Sequence, residues 1–196
     1  DQKLQEQGLT RDDLAREDAL KKLRSSTDTD FYSTPAQLPA ANGGVVRSEP
    51  STFYLDPVKL IKPNASATRI MYRTTNSKNQ AVATTGTVLQ SKAAWRKPGP
   101  RPLVVLSPGT QGMGDSCAPS RQMAMGTNSE GLSLAGLINA GYNVVAPDYI
   151  GLGTDGAHTY MNRVDQAHAV LDAVRGAQQL GVEGGAAKTP AAAVGY

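Results

Sequence analysis

Leu103-Val104-Val105-Leu106, running into Ser107-Pro108-Gly109-Thr110-Gln111-Gly112-Met113-Gly114-Asp115-Ser116-Cys117-Ala118-Pro119-Ser120, is the stretch on which the fold turns. A continuous apolar run marks a strand covered on both faces, since a half-exposed strand alternates. A Gly-rich loop, Ser107 to Ser120, leaves its carboxyl end. Next comes a helix at about 130–140, with Leu134, Leu137 and Ile138 on one side and Gly141 just past its end. Asn143-Val144-Val145-Ala146 reads as the following buried strand. A long loop from Pro147 leads to a helix at about 163–180, capped by Asn162 and ended by Gly181. Its apolar stripe is expected to be Val164, Ala167, Leu171, Val174 and Ala177. Ala191 to Val194 is the last strand, expected to be central in its sheet. Strand, helix, strand, helix, strand at this spacing predicts an α/β fold, a mostly parallel sheet with crossover helices.

Upstream, the pattern changes. Residues 67–75 and 81–89 are rich in β-branched side chains, with Asn76 to Gln80 between them, and predict an antiparallel hairpin. Residues 25–42 are polar and hold Pro35 and Pro39, a connecting segment. Residues 1–26 mix leucines with both charges. Thr10 and Asp13 resemble a capping box, and Lys21, Lys22 and Arg24 suit a helix C-terminus. An amphipathic helical arm over residues 1–30 is therefore expected to precede a core domain over 31–196, either lying on a core or partner or extending into solvent.

The 196 residues are 39% hydrophobic and 19% charged, the composition of an ordinary globular chain. The net charge of +3 is scattered, without a Lys/Arg cluster interleaved with aromatics, which argues against a nucleic-acid partner. Cys117 is the single cysteine. It fits either a small buried hydrophobe or a thiol with a partner elsewhere.

Ligands of open parallel sheets sit outside the carboxyl ends of the strands. The loops Ser107 to Ser120 and Pro147 to Tyr160 leave such ends, and both are rich in glycine, which lets backbone N–H groups approach a substrate. The first lacks the Gly-Lys-Ser/Thr ending of a phosphate loop. Gly151-Leu152-Gly153-Thr154-Asp155-Gly156 lacks the Gly-x-Gly-x-x-Gly spacing of a dinucleotide turn. Gly195-Tyr196 after a small apolar strand matches the first two places of Gly-x-Ser-x-Gly, the nucleophile elbow of α/β-hydrolases. In that order of residues the base histidine follows the serine. His158 is then expected to brace its loop and His168 to lie on a helix surface. No metal-ligand cluster and no cofactor are expected.

Several stretches together resemble the secretory lipase family, bacterial branch, related to the fungal lipase A type. They are Asp115-Ser116-Cys117-Ala118-Pro119-Ser120 after a Gly-Thr loop, Asp148-Tyr149-Ile150-Gly151-Leu152-Gly153 running into His158-Thr159-Tyr160, Val170-Leu171-Asp172-Ala173-Val174-Arg175, and Gly195-Tyr196. They fall in order over about residues 31–196. The resemblance implies an exported α/β-hydrolase that cleaves fatty-acyl esters. It implies an oxyanion-hole role for Asp115, a disulfide from Cys117 to a cysteine beyond this chain, and a substrate loop containing Gly109, Thr110 and Tyr149. Gly195 and Tyr196 flank the expected serine. Family members often have His before the Gly-Thr, where this chain has Pro108.

The reading is a secreted serine esterase or lipase acting on a lipid or ester substrate, of which this chain is the N-terminal portion. The C-terminal portion, beginning at or near the catalytic serine, is expected as a second chain, because the strand 191–194 would otherwise leave an apolar edge. The rivals are an acyltransferase on the same scaffold, a non-catalytic binding protein that kept the fold, and a subunit that binds a partner through the arm.

Overall fold

Proline decides where the sheet begins. The chain is seen in a computed structural model that describes residues 30–182 and 190–195. The arm helix expected over 1–26, and Tyr196, lie outside the described residues. β1 (Val45–Ser51) carries Pro50, which cannot donate to a ladder and is tolerated at an edge. β1 is an edge strand, paired on one side with β2 (Ala65–Thr75). The sequence pattern did not single it out, since its residues alternate weakly and none of the seven is fully buried.

β2 and β3 (Ala81–Ser91) form the expected hairpin, antiparallel from Ala65↔Ser91 to Thr75↔Ala81. Asn76 and Asn79 make the turn. The Asn76 Oδ1 accepts the N–H groups of Lys78 and Gln80 at 3.0 and 2.9 Å, and Asn79 takes a left-handed φ of 58°. Asparagine suits both positions because its short amide mimics a backbone turn and tolerates that φ.

The remaining strands are β4 (Leu103–Ser107), β5 (Asn143–Pro147) and β6 (Ala191–Gly195). The sheet order is β1-β2-β3-β5-β4-β6. β5-β4-β6 are parallel, and β3 joins them antiparallel through β5. Among the described residues three helices connect them: α1 (Pro119–Met125), α2 (Gly131–Asn139) and α3 (Arg163–Gln179). The sequence pattern assigns no helix over 119–125. Pro119 at its first position and left-handed Gly126 just after it are the signals that mark it.

The uninterrupted apolar runs have the expected cause. Val104, Leu106, Val144 and Ala146 bury one face with Met123, Leu134 and Ile138. Leu103, Val105 and Val145 bury the other with Ile70, Tyr72, Ala173 and Ala177.

One expectation needs correction. The α3 stripe is rotated: Val164, Ala167 and Leu171 face solvent, Val174 and Ala177 pack against the core as expected, and the buried side is completed by Asp165, Ala169, Asp172, Ala173 and Gly176. Small side chains bring the helix close to β2, where a Cβ on Gly176 would meet Ile70 Cδ1 at 3.4 Å. Polar groups on that side bond to β2: Thr74 Oγ1 donates to Asp172 at 2.7 Å, and Tyr72 OH donates to Ala169 O at 2.8 Å. Close approach and hydrogen bonding outweigh the larger aliphatics. β6 is the edge of the sheet among the described residues, with its five residues exposed, which is the apolar edge expected of this chain taken by itself.

Candidate active site

The carboxyl ends of β4 and β6 lie side by side, with Ser107 paired to Gly195. A Cβ on Gly195 would stand 2.8 Å from the Ser107 Cβ, so a side chain there would force the strands apart. Tyr196 is outside the described residues.

From Ser107 the loop is held one peptide at a time. Tyr149 OH donates to Pro108 O at 2.9 Å, and the Gly109 N–H donates to Glu130 Oε1 at 2.8 Å. These are the two ends of one peptide unit, so the plane between Pro108 and Gly109 is clamped on its carbonyl and on its amide. Burial, reinforced by the nearby Glu130 carboxylate, pushes the Tyr149 phenol up to about 12, which keeps it a donor at any working pH. Gln111 closes the loop, its Nε2 donating to Gly109 O at 3.3 Å while Ser129 Oγ donates to its Oε1 at 3.0 Å. Glu130 is buried, and no sequence signal separated it from an ordinary acid at a helix start.

Tyr149 has a left-handed φ of 70°, which costs a non-glycine residue on the order of 1–2 kcal/mol. The Thr84 hydroxyl donates to its carbonyl at 2.8 Å and helps hold it there. Met161, on the same cleft, has φ 61°. Backbone strain of this kind collects where surroundings over-determine a functional geometry. Gly151 has φ 71°, and a Cβ there would strike Ala157 O at 2.2 Å, so the turn after Tyr149 requires glycine.

Between these loops lies a cleft of about 220 Å³, lined among others by Gly109, Thr110, Tyr149, His158, Tyr160 and Met161. Thr110 and Tyr160 hydroxyls meet across it at 3.0 Å. His158 Nδ1 lies 3.1 Å from Ile150 O, which requires the Nδ1–H tautomer and braces the loop. His168 is half-buried, its Nδ1 donating to Thr75 O at 2.7 Å.

Of the residues singled out in sequence, Gly109, Thr110 and Tyr149 line the cleft together. Asp115 does not: it is exposed, opens a 3-10 turn over Asp115–Cys117, and its Oδ1 accepts the Gly153 N–H at 3.3 Å. Cys117 is half-buried and its thiol is free. With one cysteine in the sequence, the disulfide has no support within the chain.

Beneath the loops sits a buried carboxylate. Asp148 accepts the Ser120 N–H at 2.7 Å, the Ser120 hydroxyl at 2.5 Å and the Thr85 hydroxyl at 2.6 Å. Ser120 spends its hydrogen on Asp148, so Tyr32 OH, 2.7 Å away, donates to Ser120 Oγ. The Arg121 guanidinium lies 3.7 Å over the Tyr32 ring. Burial raises the Asp148 carboxyl above its usual range, and the hydroxyl and amide donors and Arg121 oppose that rise.

This arrangement of sheet, crossover helices and carboxyl-end loops is the α/β-hydrolase fold, and solved structures bear it out. Lipase A of Candida antarctica in its closed state superposes with a TM-score of 0.68 at 23% identity, over 86% of this chain and 39% of that one. The rice cell wall degrading esterase LipA of Xanthomonas oryzae gives 0.59 at 22% identity, over 80% and 42%. The chain thus spans about two-fifths of the length of the structures it matches. Residues 117–196 match the family model described as secretory lipase, which agrees with the resemblance carried by the sequence motifs. No curated protein matches the chain's sequence significantly.

Proposed function

We propose that the protein is a serine carboxylic-ester hydrolase of lipase type, and that this chain supplies its oxyanion-hole loop. The observation that carries the reading is the peptide clamp at Pro108–Gly109, one strand away from Gly195. Acyl transfer depends on backbone donors fixed where negative charge develops, and removing one such donor typically slows it about a hundred- to a thousandfold. A loop clamped at both ends of a peptide meets that need without reorganisation. The secretory lipase match supports an ester substrate and an extracellular location.

In the proposed reaction a serine following Tyr196 attacks the ester carbonyl, a histidine takes its proton, and a carboxylate orients that histidine. Those three residues belong to the C-terminal portion, which the reading takes as this chain's partner in activity. The amide of the residue after the serine would be one donor to the oxyanion. The other comes from the loop. An ionised Asp115 side chain would repel an oxyanion, so its contribution would run through its own amide. A second reading of the loop is favoured by its geometry: Asp115 ties the loop to Gly153 and stays off the cleft, leaving Thr110 to face the substrate.

Hydrolysis of p-nitrophenyl esters from short to long acyl chains by the full-length protein tests the class, and absence of turnover with every chain length rejects it. Added alcohol acceptors that divert product from acid to new ester would point to acyl transfer instead. Glu130→Ala releases Gly109 and is expected to lower kcat about ten- to a hundredfold, whereas Glu130→Gln keeps an acceptor and recovers most of it. Asp115→Ala lowers kcat only mildly if its amide is the donor, and Thr110→Pro, which removes an amide, abolishes it if Thr110 is.

A further inference from the structure

The loop between β1 and β2 holds large aliphatic side chains out in water, and it is firmly built. The Asp56 carboxylate accepts the Leu60 N–H at 3.0 Å and the Ile61 N–H at 2.6 Å. Leu55 N–H donates to Ile61 O at 2.9 Å, and Lys59 N–H to Asp56 O at 3.0 Å, with Lys59 in the left-handed region at φ 61°. Tyr54 N–H donates to Met123 O at 2.9 Å, which anchors the loop on α1.

The result is a tip on which Val58 is 73%, Leu60 81% and Ile61 57% exposed. These side chains fill no core, and polar residues would serve the same turn. Lys59 and Lys62 flank the tip, their ammonium groups 5.8 and 4.8 Å from the Tyr54 ring centroid. Asp56 is the single acid of residues 52–64, and its carboxylate is turned to backbone N–H groups rather than to either lysine. Aliphatic side chains flanked by two lysines that pair with no acid among the described residues match a surface that is apolar just beneath a layer of negative charge.

We propose that residues 56–62 dock the protein on an anionic lipid surface. Val58, Leu60 and Ile61 enter the boundary between headgroups and acyl chains, and Lys59 and Lys62 meet the anionic headgroups. Because the loop is already ordered, docking does not have to order it. The inference goes beyond ester cleavage and does not rest on it: adsorption and turnover are separate measurements.

Co-sedimentation of the protein with phosphatidylcholine vesicles, with and without phosphatidylglycerol, tests it. The wild type should bind the anionic vesicles, and salt should weaken that binding. Replacing Val58, Leu60 and Ile61 together by serine should cut partitioning at least about tenfold. Lys59→Glu with Lys62→Glu should erase the preference for phosphatidylglycerol, each lysine contributing about fivefold. Leu132→Ser, at an exposed position on α2, should change nothing. No binding by the wild type, or undiminished binding by the triple serine variant, overturns the proposal. So does light scattering that finds a wild-type dimer and a monomeric triple variant, since the patch would then be covered by a second copy.

Discussion

Asp148 is a fully buried carboxylate that accepts three hydrogen bonds, two from Ser120 and one from Thr85, and its chemistry is set by that enclosure. Desolvation favours the protonated form, so its folded pKa lies above the ordinary 3.8. Between 3.8 and the raised value the folded protein holds a proton that the unfolded chain has released. Stability from this group is therefore greatest below that window and falls as pH climbs through it. Asparagine keeps the shape and an acceptor but does not titrate. The melting temperature of the wild type minus that of Asp148→Asn should fall as pH rises across the window and level off above it. A difference that grows with pH would refute the assignment. In the sequence, Asp148 stood out only as part of a motif. A charge directly after a buried strand was the available sign, but its partners Thr85 and Ser120 come from distant segments.

Secondary elements were more legible than the faces they present. The hairpin, both central strands and α2 lie close to where periodicity and turn residues put them, because those signals are local. α3 begins at its expected Asn162 cap, whose side chain accepts the Val164 and Asp165 N–H groups, yet Val164, Ala167 and Leu171 of its expected stripe face solvent. Counting hydrophobicity along the helix could not reveal that β2 approaches closely enough to exclude leucine and to supply Thr74 for Asp172. Leu171→Ser should then shift stability by less than about 0.5 kcal/mol, as for a surface site. Gly176→Leu should cost about 1–3 kcal/mol by overpacking against Ile70 and Tyr72. Denaturant unfolding of both variants checks the pair, and the reverse order would restore the stripe first read from sequence.

At the scale of the molecule, the cleft exists because two loops separated by a strand and two helices are tied across their tips. Thr110 meets Tyr160, Asp115 meets Gly153, and Tyr149 reaches back to Pro108. Tyr160→Phe cuts one exposed tie without touching the core. In the proposed hydrolase it should raise KM a few fold and leave kcat and melting temperature nearly unchanged, since the fixed peptide at Pro108–Gly109 is held by other groups. A fall in kcat with constant KM would place Tyr160 in the reaction itself. By itself the sequence determined the α/β class, the order of the strands and helices other than β1 and α1, and which loops leave carboxyl ends, because periodicity, caps and glycines act within a few residues of one another. Only the tertiary structure decided that Glu130 and Tyr149 share one peptide, that Asp115 stands off the cleft and that α3 buries its small side. Those outcomes depend on distances between segments far apart in the chain, and burial and hydrogen bonding fix such distances only after the sheet has assembled.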